Sequence, residues 1–141
     1  MLYYRSIRAE IGASGRVERK SAMQYHINES EFRFMEILWE EEPVNSTDLV
    51  RICRERLEWQ KSTTYTVIRK LCGKQIVSNE ASVVRALVSR EHIQKQESKE
   101  FLDRKFGGSL PSFITAYLQD RRLTKEEAER IRRLIEDASE D

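Results

Sequence analysis

The sequence predicts a mainly α-helical protein with one small β-hairpin. Apolar residues recur every three or four positions through most of the chain, which is the spacing of amphipathic helices. Three such segments start with a capping residue, at Asn28, Asn45 and Thr124, and an acidic residue follows three positions later. Residues 76–84 differ, because β-branched residues there flank a short polar stretch. We therefore expect helices on both sides of a single hairpin.

Composition and charge limit the kind of protein. With 141 residues, 39% hydrophobic and 35% charged, the chain can hold one compact domain or a small domain with an accessory helical segment. Its formal net charge of +1 gives no overall attraction to nucleic acid. Residues 28–50 are acidic, however, and residues 51–74 are basic. Any surface for nucleic acid must therefore be a local patch.

Several classes of protein are disfavoured by what the sequence lacks. No apolar run approaches the ~20 residues that span a membrane, and the N-terminus lacks the apolar stretch of a signal peptide. Cys53 and Cys72 are too few for a disulfide framework, and we interpret both as buried thiols. His26 and His92 have no metal-ligand partners at suitable spacing. We expect a cytoplasmic protein that is not an enzyme, without cofactor, metal site or membrane insertion.

Residues 1–22 form an N-terminal extension without defensible periodicity. They are rich in arginine and contain two glycines, so one interpretation is a basic arm. The other is an artefact of start-site choice, and we favour it because Met23 stands directly before the first convincing structural signal.

The first helix is predicted from a capping box with a hydrophobic staple. Asn28 and Glu31 can form the box, and Ile27 can pack on Phe32. The helix should end around Glu41, before the proline that follows. Its inward residues are predicted to be Phe32, Met35, Leu38 and Trp39.

A second helix is predicted from Asn45, where Asp48 is placed to complete another capping box. Trp59 follows this helix, and we expect its ring to pack where the second helix meets the third. The predicted apolar face of the second helix consists of Leu49, Ile52, Cys53 and Leu57.

The third helix, residues 59–71 with the sequence WQKSTTYTVIRKL, has two chemically different faces. Thr64, Val67, Ile68 and Leu71 recur at helical spacing and can bury one side. Threonines and a tyrosine on the other side cost helix propensity, which indicates a purpose beyond local stability. Cations and hydroxyls there suit phosphates and base edges of DNA, and a guanidinium can pair with guanine. The predicted DNA-binding residues are Lys61, Ser62, Thr63, Tyr65, Thr66, Arg69 and Lys70.

A hairpin follows, with Ile76-Val77 and Val83-Val84 as strands around the polar segment 78–82. Three short helices and then a hairpin are the order of a winged helix-turn-helix domain, which we assign to residues 23–88. In that fold the third helix enters the major groove and the wing touches the DNA backbone.

Residues 89–141 are predicted to be a helical dimerisation domain. Ser89 can cap a long polar helix that runs to about Phe106 and stops at Gly107 and Gly108. Two amphipathic helices follow, the last one opened by the capping box at Thr124. Three such helices are too few for an independent core, so a homodimer is the natural inference. The predicted dimer contacts are Leu102, Phe106, Leu110, Phe113, Ile114, Tyr117, Leu118, Ile131 and Leu134.

The order of residues 28–39, Pro43, a capped second helix and residues 59–71 resembles the BlaI/MecI/CopY penicillinase-repressor family. The resemblance covers roughly residues 27–136 and rests on the joint order of motifs rather than on any single one. Four further runs resemble the family's dimerisation region: LVSREH (87–92), QES (96–98), FLDRKFGGSL (101–110) and LTKEEAERIRRLI (123–135).

The resemblance implies a homodimeric repressor that binds a palindromic, double-stranded DNA operator. Many members are inactivated when a membrane sensor protease responds to β-lactam and the repressor is cleaved in its dimerisation region. The family's recognition-helix pattern, Trp-Ser-Pro-x-Thr-x-x-Thr-Leu-Leu-x-Arg-Leu, falls on residues 59–71 of this chain. The positions that carry its Thr, Thr, Arg and Leu are Thr63, Thr66, Lys70 and Leu71.

This chain departs from the family pattern in three places. Gln60 and Lys61 replace a capping Ser and a Pro, which weakens the start of the third helix. Residues 79–85 are shorter than the family's usual wing and have neither its Gly-Arg nor its aromatics, so wing contacts to DNA are in question. The cysteine cluster of the copper-responsive branch is missing, so we do not expect copper sensing.

Two functions follow from these observations. The leading prediction is a dimeric operator-binding repressor in which Tyr65, Thr66 and Arg69 reach base edges. The alternative is a winged-helix adaptor for protein interactions without specific DNA binding, favoured by the short wing and the near-neutral charge. In the leading prediction, phosphates are held by Lys61, Ser62, Thr63 and Lys70.

Overall fold

The computed structural model describes residues 25–140 and confirms a mainly α-helical winged helix-turn-helix fold with a small antiparallel sheet. The predicted extension, residues 1–22, lies outside the described residues. The elements in chain order are α1 (Glu29–Glu41), β1 (Val44–Asn45), α2 (Ser46–Leu57), α3 (Lys61–Gly73), β2 (Val77–Glu80), β3 (Val83–Ala86), α4 (Arg90–Phe106), α5 (Leu110–Leu118) and α6 (Lys125–Ala138).

The described chain divides into two compact units, one ending at Ser98 and one beginning at Lys99. We call them the winged unit and the helical unit. The division falls inside α4, later in the chain than the boundary after residue 88 that the sequence suggested.

The core of the winged unit is built on α1, whose buried face differs from the predicted one. Phe34 and Ile37 are buried although the helical pattern did not single them out, whereas Phe32 and Trp39 are only half-buried. The cause is the packing of α1 against α2, α3 and β3 together, which widens its buried face beyond a single stripe. The largest fully buried side chains are Phe34, Met35, Leu38, Leu49, Leu71, Ile76 and Ile93.

Of the three predicted capping boxes, the first forms completely. Asn28 Oδ1 accepts from the Glu31 amide at 2.8 Å, and Glu31 Oε1 accepts from the Asn28 amide at 3.0 Å. The second box was wrong: Asn45 Oδ1 accepts from the Thr47 amide at 3.0 Å, and the Asp48 carboxylate lies 3.9 Å from Arg51 instead.

In the third box, the hydrogen bond from the backbone to the capping side chain is present: Thr124 Oγ1 accepts from the Glu127 amide at 3.1 Å. The predicted ends of α4 are also present. Ser89 Oγ accepts from the His92 amide at 3.0 Å, and the helix stops at Gly107 and Gly108, both with positive φ.

The predicted hairpin exists, but the prediction assigned too many residues to the loop between its strands. Residues 78–80 belong to β2, and the loop is the two-residue turn Ala81-Ser82. A third strand, β1, was missed because two residues give no alternating pattern. It pairs Val44 with Val84 on β3, and the Ser46 amide donates to the Ser82 carbonyl at 2.8 Å. The wing is therefore attached to the start of α2.

Candidate nucleic-acid interface

The third helix is positioned by one buried face. Thr64, Val67, Ile68 and Leu71 are buried against the core, as their spacing predicted, and none is more than 8% exposed. Burying several apolar side chains at ~25 cal/mol per Å² fixes the rotation of the helix about its axis. The opposite face of α3 is consequently turned towards solvent.

The helix begins at Lys61, two residues later than the predicted segment. Its N-cap is Gln60, whose side chain makes no capping hydrogen bond to another described residue. Lys61, Ser62 and Thr63 are exposed, so their first-turn amides meet solvent at the positive end of the helix dipole. Such an end attracts anions.

Trp59 lies just before this start and holds it to α1. Its ring stacks on Phe34 in parallel, with centroids 6.2 Å apart and planes 3° apart. The Trp59 ring therefore stacks on the first helix, whereas the prediction placed it where the second helix meets the third.

The outward face brings the predicted DNA-binding residues together in two small groups. Lys61 Nζ lies 6.0 Å from the centroid of the Tyr65 ring, and Arg69 donates to Thr66 Oγ1 at 3.5 Å. Both are weak contacts that leave the polar ends accessible. Tyr65 and Thr66 are half-buried, and the exposed members of the set are Lys61, Ser62, Thr63, Arg69 and Lys70.

The charge of this face is uncompensated. Helix α3 contains no Asp or Glu, and Lys61, Arg69 and Lys70 make no ion pair with any other residue of 25–140. A local positive patch therefore exists despite the near-neutral chain.

Arg54 is a further candidate cation that the sequence did not single out. Of the three arginines in α2, Arg51 lies 3.9 Å from Asp48 and 3.6 Å from Glu55, and Arg56 lies 3.0 Å from Glu40. Arg54 is exposed and has no ion-pair partner among the described residues. The pairs of Arg51 lie within α2 at helical spacing, whereas the pair of Arg56 with Glu40 depends on how α2 meets α1 and leaves no signal in the local sequence.

The C-terminal end of α3 carries an ion pair that the sequence analysis missed. Lys74 Nζ lies 2.9 Å from Oε1 and 3.1 Å from Oε2 of Glu31, and it also donates to the His26 carbonyl at 2.7 Å. Glu31 is 2% exposed. Nothing in the local sequence signals this pair, since its members lie 43 positions apart.

Both cysteines are free, as expected, but only Cys53 is fully buried. Burial raises the pKa of the Cys53 thiol from 9.0 to about 11, although the nearby Thr64 hydroxyl and the charge of Arg56 act in the opposite direction. Thr64 Oγ1 has no conventional hydrogen-bond partner in the described part of the chain and faces this thiol. Burial also raises the pKa of Cys72, which is half-buried.

The wing contributes little charge at its tip. Residues 79–82 include no Lys or Arg, and Arg85 is half-buried in β3. Ala81 and Ser82 both have positive φ, at 52° and 65°, so the tip is a tight turn of the primed type. Among residues 25–140, no group of three or more His, Cys, Asp or Glu could hold a metal ion, and no helix is long and apolar enough to cross a membrane.

The helical unit keeps its apolar side chains at least partly exposed. Neither α5 nor α6 contains a buried residue. Phe113 is the centre of an aromatic cluster, with ring centroids 5.4 Å from Phe106, 6.0 Å from Phe101 and 6.1 Å from Tyr117. Of the predicted dimer contacts, the exposed ones are Leu110, Tyr117 and Leu134, and the half-buried ones are Leu102, Phe106, Phe113, Ile114, Leu118 and Ile131.

A winged helix-turn-helix unit followed by a helical unit is the architecture of this chain, and its family is one of transcriptional repressors, not of enzymes. The chain belongs to the penicillinase repressor family, whose sequence pattern matches residues 27–137.

Curated relatives agree with this assignment. The methicillin resistance regulatory protein MecI of Staphylococcus aureus strain Mu50 is 23% identical over 115 residues, which is 79% of this chain and 94% of the relative. The penicillinase repressor of Staphylococcus aureus is 24% identical over 120 residues, covering 82% and 95%. The penicillinase repressor of Bacillus licheniformis is 22% identical over 116 residues, covering 79% and 90%.

Proposed function

We propose that this repressor is a homodimer that inserts α3 of each protomer into the major groove of a palindromic operator. The observation that carries the proposal is the outward face of α3. It presents cations and hydroxyls without a single carboxylate, on a helix whose other face is fixed by the core. Two such helices related by a two-fold axis match two half-sites of a palindrome.

Within this face, the side chains divide by position and reach. Tyr65, Thr66 and Arg69 lie at the centre of the helix and are proposed to contact base edges, with Arg69 suited to bidentate pairing with guanine. The exposed first turn of α3 offers amides, hydroxyls and a cation for phosphates. The proposed phosphate contacts are Lys61, Ser62, Thr63 and Lys70.

Dimerisation through the helical unit is supported by its apolar exposure. Leu134 is 61% exposed and Tyr117 is 50% exposed, and such a concentration in a small unit is costly unless another surface covers it. A second copy would cover the same side chains from both directions, as a two-fold interface requires.

We further propose that a sensor protease relieves repression by cutting within the helical unit. The proposal rests on the family resemblance and on relatives named for methicillin resistance and penicillinase regulation. Immunoblots of cells before and after β-lactam treatment test it. A shortened repressor after treatment supports the proposal, whereas an intact repressor together with derepressed target genes contradicts it.

The operator proposal is tested by a fluorescence anisotropy titration with DNA from upstream of the repressor's own gene, with scrambled DNA of equal length as the competitor. We expect 10³-fold or greater preference, of the order typical for specific DNA-binding proteins. Equal affinity for both DNAs at low salt would favour the adaptor function instead.

Dimerisation is tested by sedimentation equilibrium of the full chain and of the variant Leu134→Glu. The wild type should sediment as a dimer and the variant as a monomer, because the carboxylate would be buried in the interface without a partner. Arg133→Glu is the matched control, since it places the same residue at a neighbouring exposed position. A monomeric wild type at micromolar concentration would contradict the proposal.

A further inference from the structure

Glu31 is the most buried acidic side chain of the winged unit among residues 25–98, and its carboxylate accepts hydrogen bonds from two different elements. One oxygen accepts from the Asn28 amide at 3.0 Å and completes the N-terminal cap of α1. Both oxygens accept from the ammonium group of Lys74, at 2.9 and 3.1 Å. The same carboxylate therefore joins the beginning of α1 to the end of α3.

Lys74 is held more completely than a surface lysine. Its ammonium group contacts both oxygens of Glu31 and the carbonyl of His26, which are three acceptors for a group with three protons. The Lys74 side chain is 39% exposed and that of Glu31 is 3% exposed, so water screens the pair only from one side.

The position of Lys74 gives the pair its significance. Lys74 is the C-cap of α3, and its amide donates to the Lys70 carbonyl at 3.1 Å. Arg69 lies little more than one helical turn before it. Any shift of this helix end is therefore transmitted to the side chains proposed to read bases, and base hydrogen bonds tolerate only small displacements.

The two ends of α3 are held by different kinds of interaction. The beginning has no side-chain cap and is held by the stacking of Trp59 on Phe34, whereas the end is held by charge-assisted hydrogen bonds. Charge-assisted bonds are shorter and about twice as strong as neutral ones. The end of α3 is therefore held by stronger polar contacts than its beginning.

We propose that Glu31 and Lys74 are positioning residues for operator recognition: the pair fixes α3 so that its central residues discriminate operator from random DNA. This inference rests on the proposed function. It adds a pair of residues that would determine the specificity for the operator without touching DNA. It assigns Lys74 to the protein scaffold, although an exposed lysine beside a recognition helix would ordinarily be taken as a phosphate contact.

The experiment measures the affinity of the full chain for operator and for scrambled DNA by fluorescence anisotropy, at a series of salt concentrations. Lys74→Met keeps the length of the side chain and removes the charge. Lys74→Arg keeps the charge and can form two bonds to the carboxylate. Glu31→Gln keeps the capping ability, because glutamine also serves at this position of a capping box.

Asn28→Ala is the matched control. It removes the other half of the same capping box and destabilises the same helix end, but it leaves Glu31 beside Lys74. Thermal melts followed by circular dichroism identify a temperature at which every variant is folded. If Lys74→Met does not fold, Glu31→Gln carries the test, because it removes one charge while leaving hydrogen-bonding groups in place.

We expect Lys74→Met to lower the ratio of operator to scrambled affinity about tenfold, the effect of losing one charge-assisted hydrogen-bonded contact. Glu31→Gln should lower the same ratio, Lys74→Arg should restore most of it, and Asn28→Ala should leave it unchanged.

Two results would overturn the inference. Unchanged affinity for both DNAs in Lys74→Met shows that the pair does not position α3. An equal loss on both DNAs with a flatter salt dependence makes Lys74 a phosphate contact instead. A different outcome is a wild-type protein that does not discriminate between the two DNAs. That outcome contradicts the proposed function itself, and the role of the pair, which rests on it, is then contradicted too.

Discussion

The rings of Phe34 and Trp59 stack in parallel, with centroids 6.2 Å apart, and so connect the centre of α1 to the chain two residues before α3. Phe34 is fully buried and Trp59 is half-buried. The stack compensates for the weak start of α3, where Gln60 provides no side-chain cap.

We predict that the two rings stabilise the fold jointly. Phe34→Leu and Trp59→Leu should each lower the free energy of unfolding, and a double-mutant cycle should give a coupling of about 0.5–1.5 kcal/mol, the range for aromatic pairs. Urea denaturation measures all four proteins. The pair Phe32 and Trp39, whose rings meet edge to face at 5.7 Å, is the comparison within the same unit. Strictly additive losses would show that the stack contributes nothing beyond burial.

Arg69 and Lys61 should respond differently when each is replaced by alanine. Arg69→Ala is expected to cost about 1–3 kcal/mol at the operator and to relax preference at one base pair. Lys61→Ala should weaken operator and random DNA together and flatten the salt dependence, because it removes one phosphate contact. Competition titrations at several salt concentrations distinguish the two. A base-reading role for Arg69 is refuted if both DNAs lose equally, and an unchanged salt slope removes Lys61 from the phosphate contacts.

Alkaline pH should destabilise the winged unit through Cys53. Burial raises the pKa of its thiol to about 11, against 9.0 for an exposed thiol. Between these values the unfolded chain has lost the thiol proton and the folded chain has kept it, so the folded state binds more protons and its stability falls as pH rises. The loss is complete above pH 11 and amounts to roughly 2–3 kcal/mol, at 1.36 kcal/mol per pKa unit.

Urea denaturation from pH 8 to pH 11 measures this effect, with Cys53→Ala as the reference for all other titrating groups. The difference in unfolding free energy between wild type and variant should shrink as pH rises. Thr64→Val should extend the range over which the folded chain keeps the thiol proton to higher pH, because the nearby Thr64 hydroxyl lowers the pKa of this thiol. Parallel pH profiles for wild type and Cys53→Ala would contradict the prediction.

The left-handed residue Gln75, two positions after the end of α3, is predicted to limit stability. Gln75 has φ 63°, its amide donates to the Cys72 carbonyl at 3.0 Å, and the Ile76 amide donates to Leu71 at 3.0 Å. This is a Schellman motif whose left-handed position favours glycine. Gln75→Gly should therefore raise the free energy of unfolding by about 1 kcal/mol, as measured by urea denaturation. Gln75→Ala keeps the left-handed strain and should give no such gain, so equal gains in both variants would exclude strain as the cause.

The two-residue turn of the wing, Ala81-Ser82, is also predicted to limit stability through its left-handed backbone. Ala81 and Ser82 both occupy left-handed conformations where Asn-Gly is preferred. Replacing them by Ala81→Asn and Ser82→Gly should stabilise the protein by about 1–2 kcal/mol, whereas Ala81→Val should destabilise it. Operator affinity should stay unchanged, because the wing tip carries no cation. A loss of affinity in the stabilised variant would show that this turn touches DNA.

The sequence by itself determined the elements that depend on nearby residues. The capping box at Asn28, the glycine end of α4 and the buried stripe of α3 all arise from contacts within about one or two helical turns. Such contacts leave a readable spacing in the chain. The outward face of α3 could therefore be predicted with its burial pattern, and its DNA contacts stay a prediction.

Only the tertiary structure decided the features that depend on distant partners. The strand β1 exists because β3 pairs with it, and Arg56 meets Glu40 because α2 packs against α1, whereas Arg54 has no ion-pair partner among residues 25–140. The same holds for Glu31 and Lys74, which are adjacent in space and 43 positions apart in the chain. A local pattern carries no information on such pairs, since the packing of the helices, and not the spacing of residues, brings their charges together.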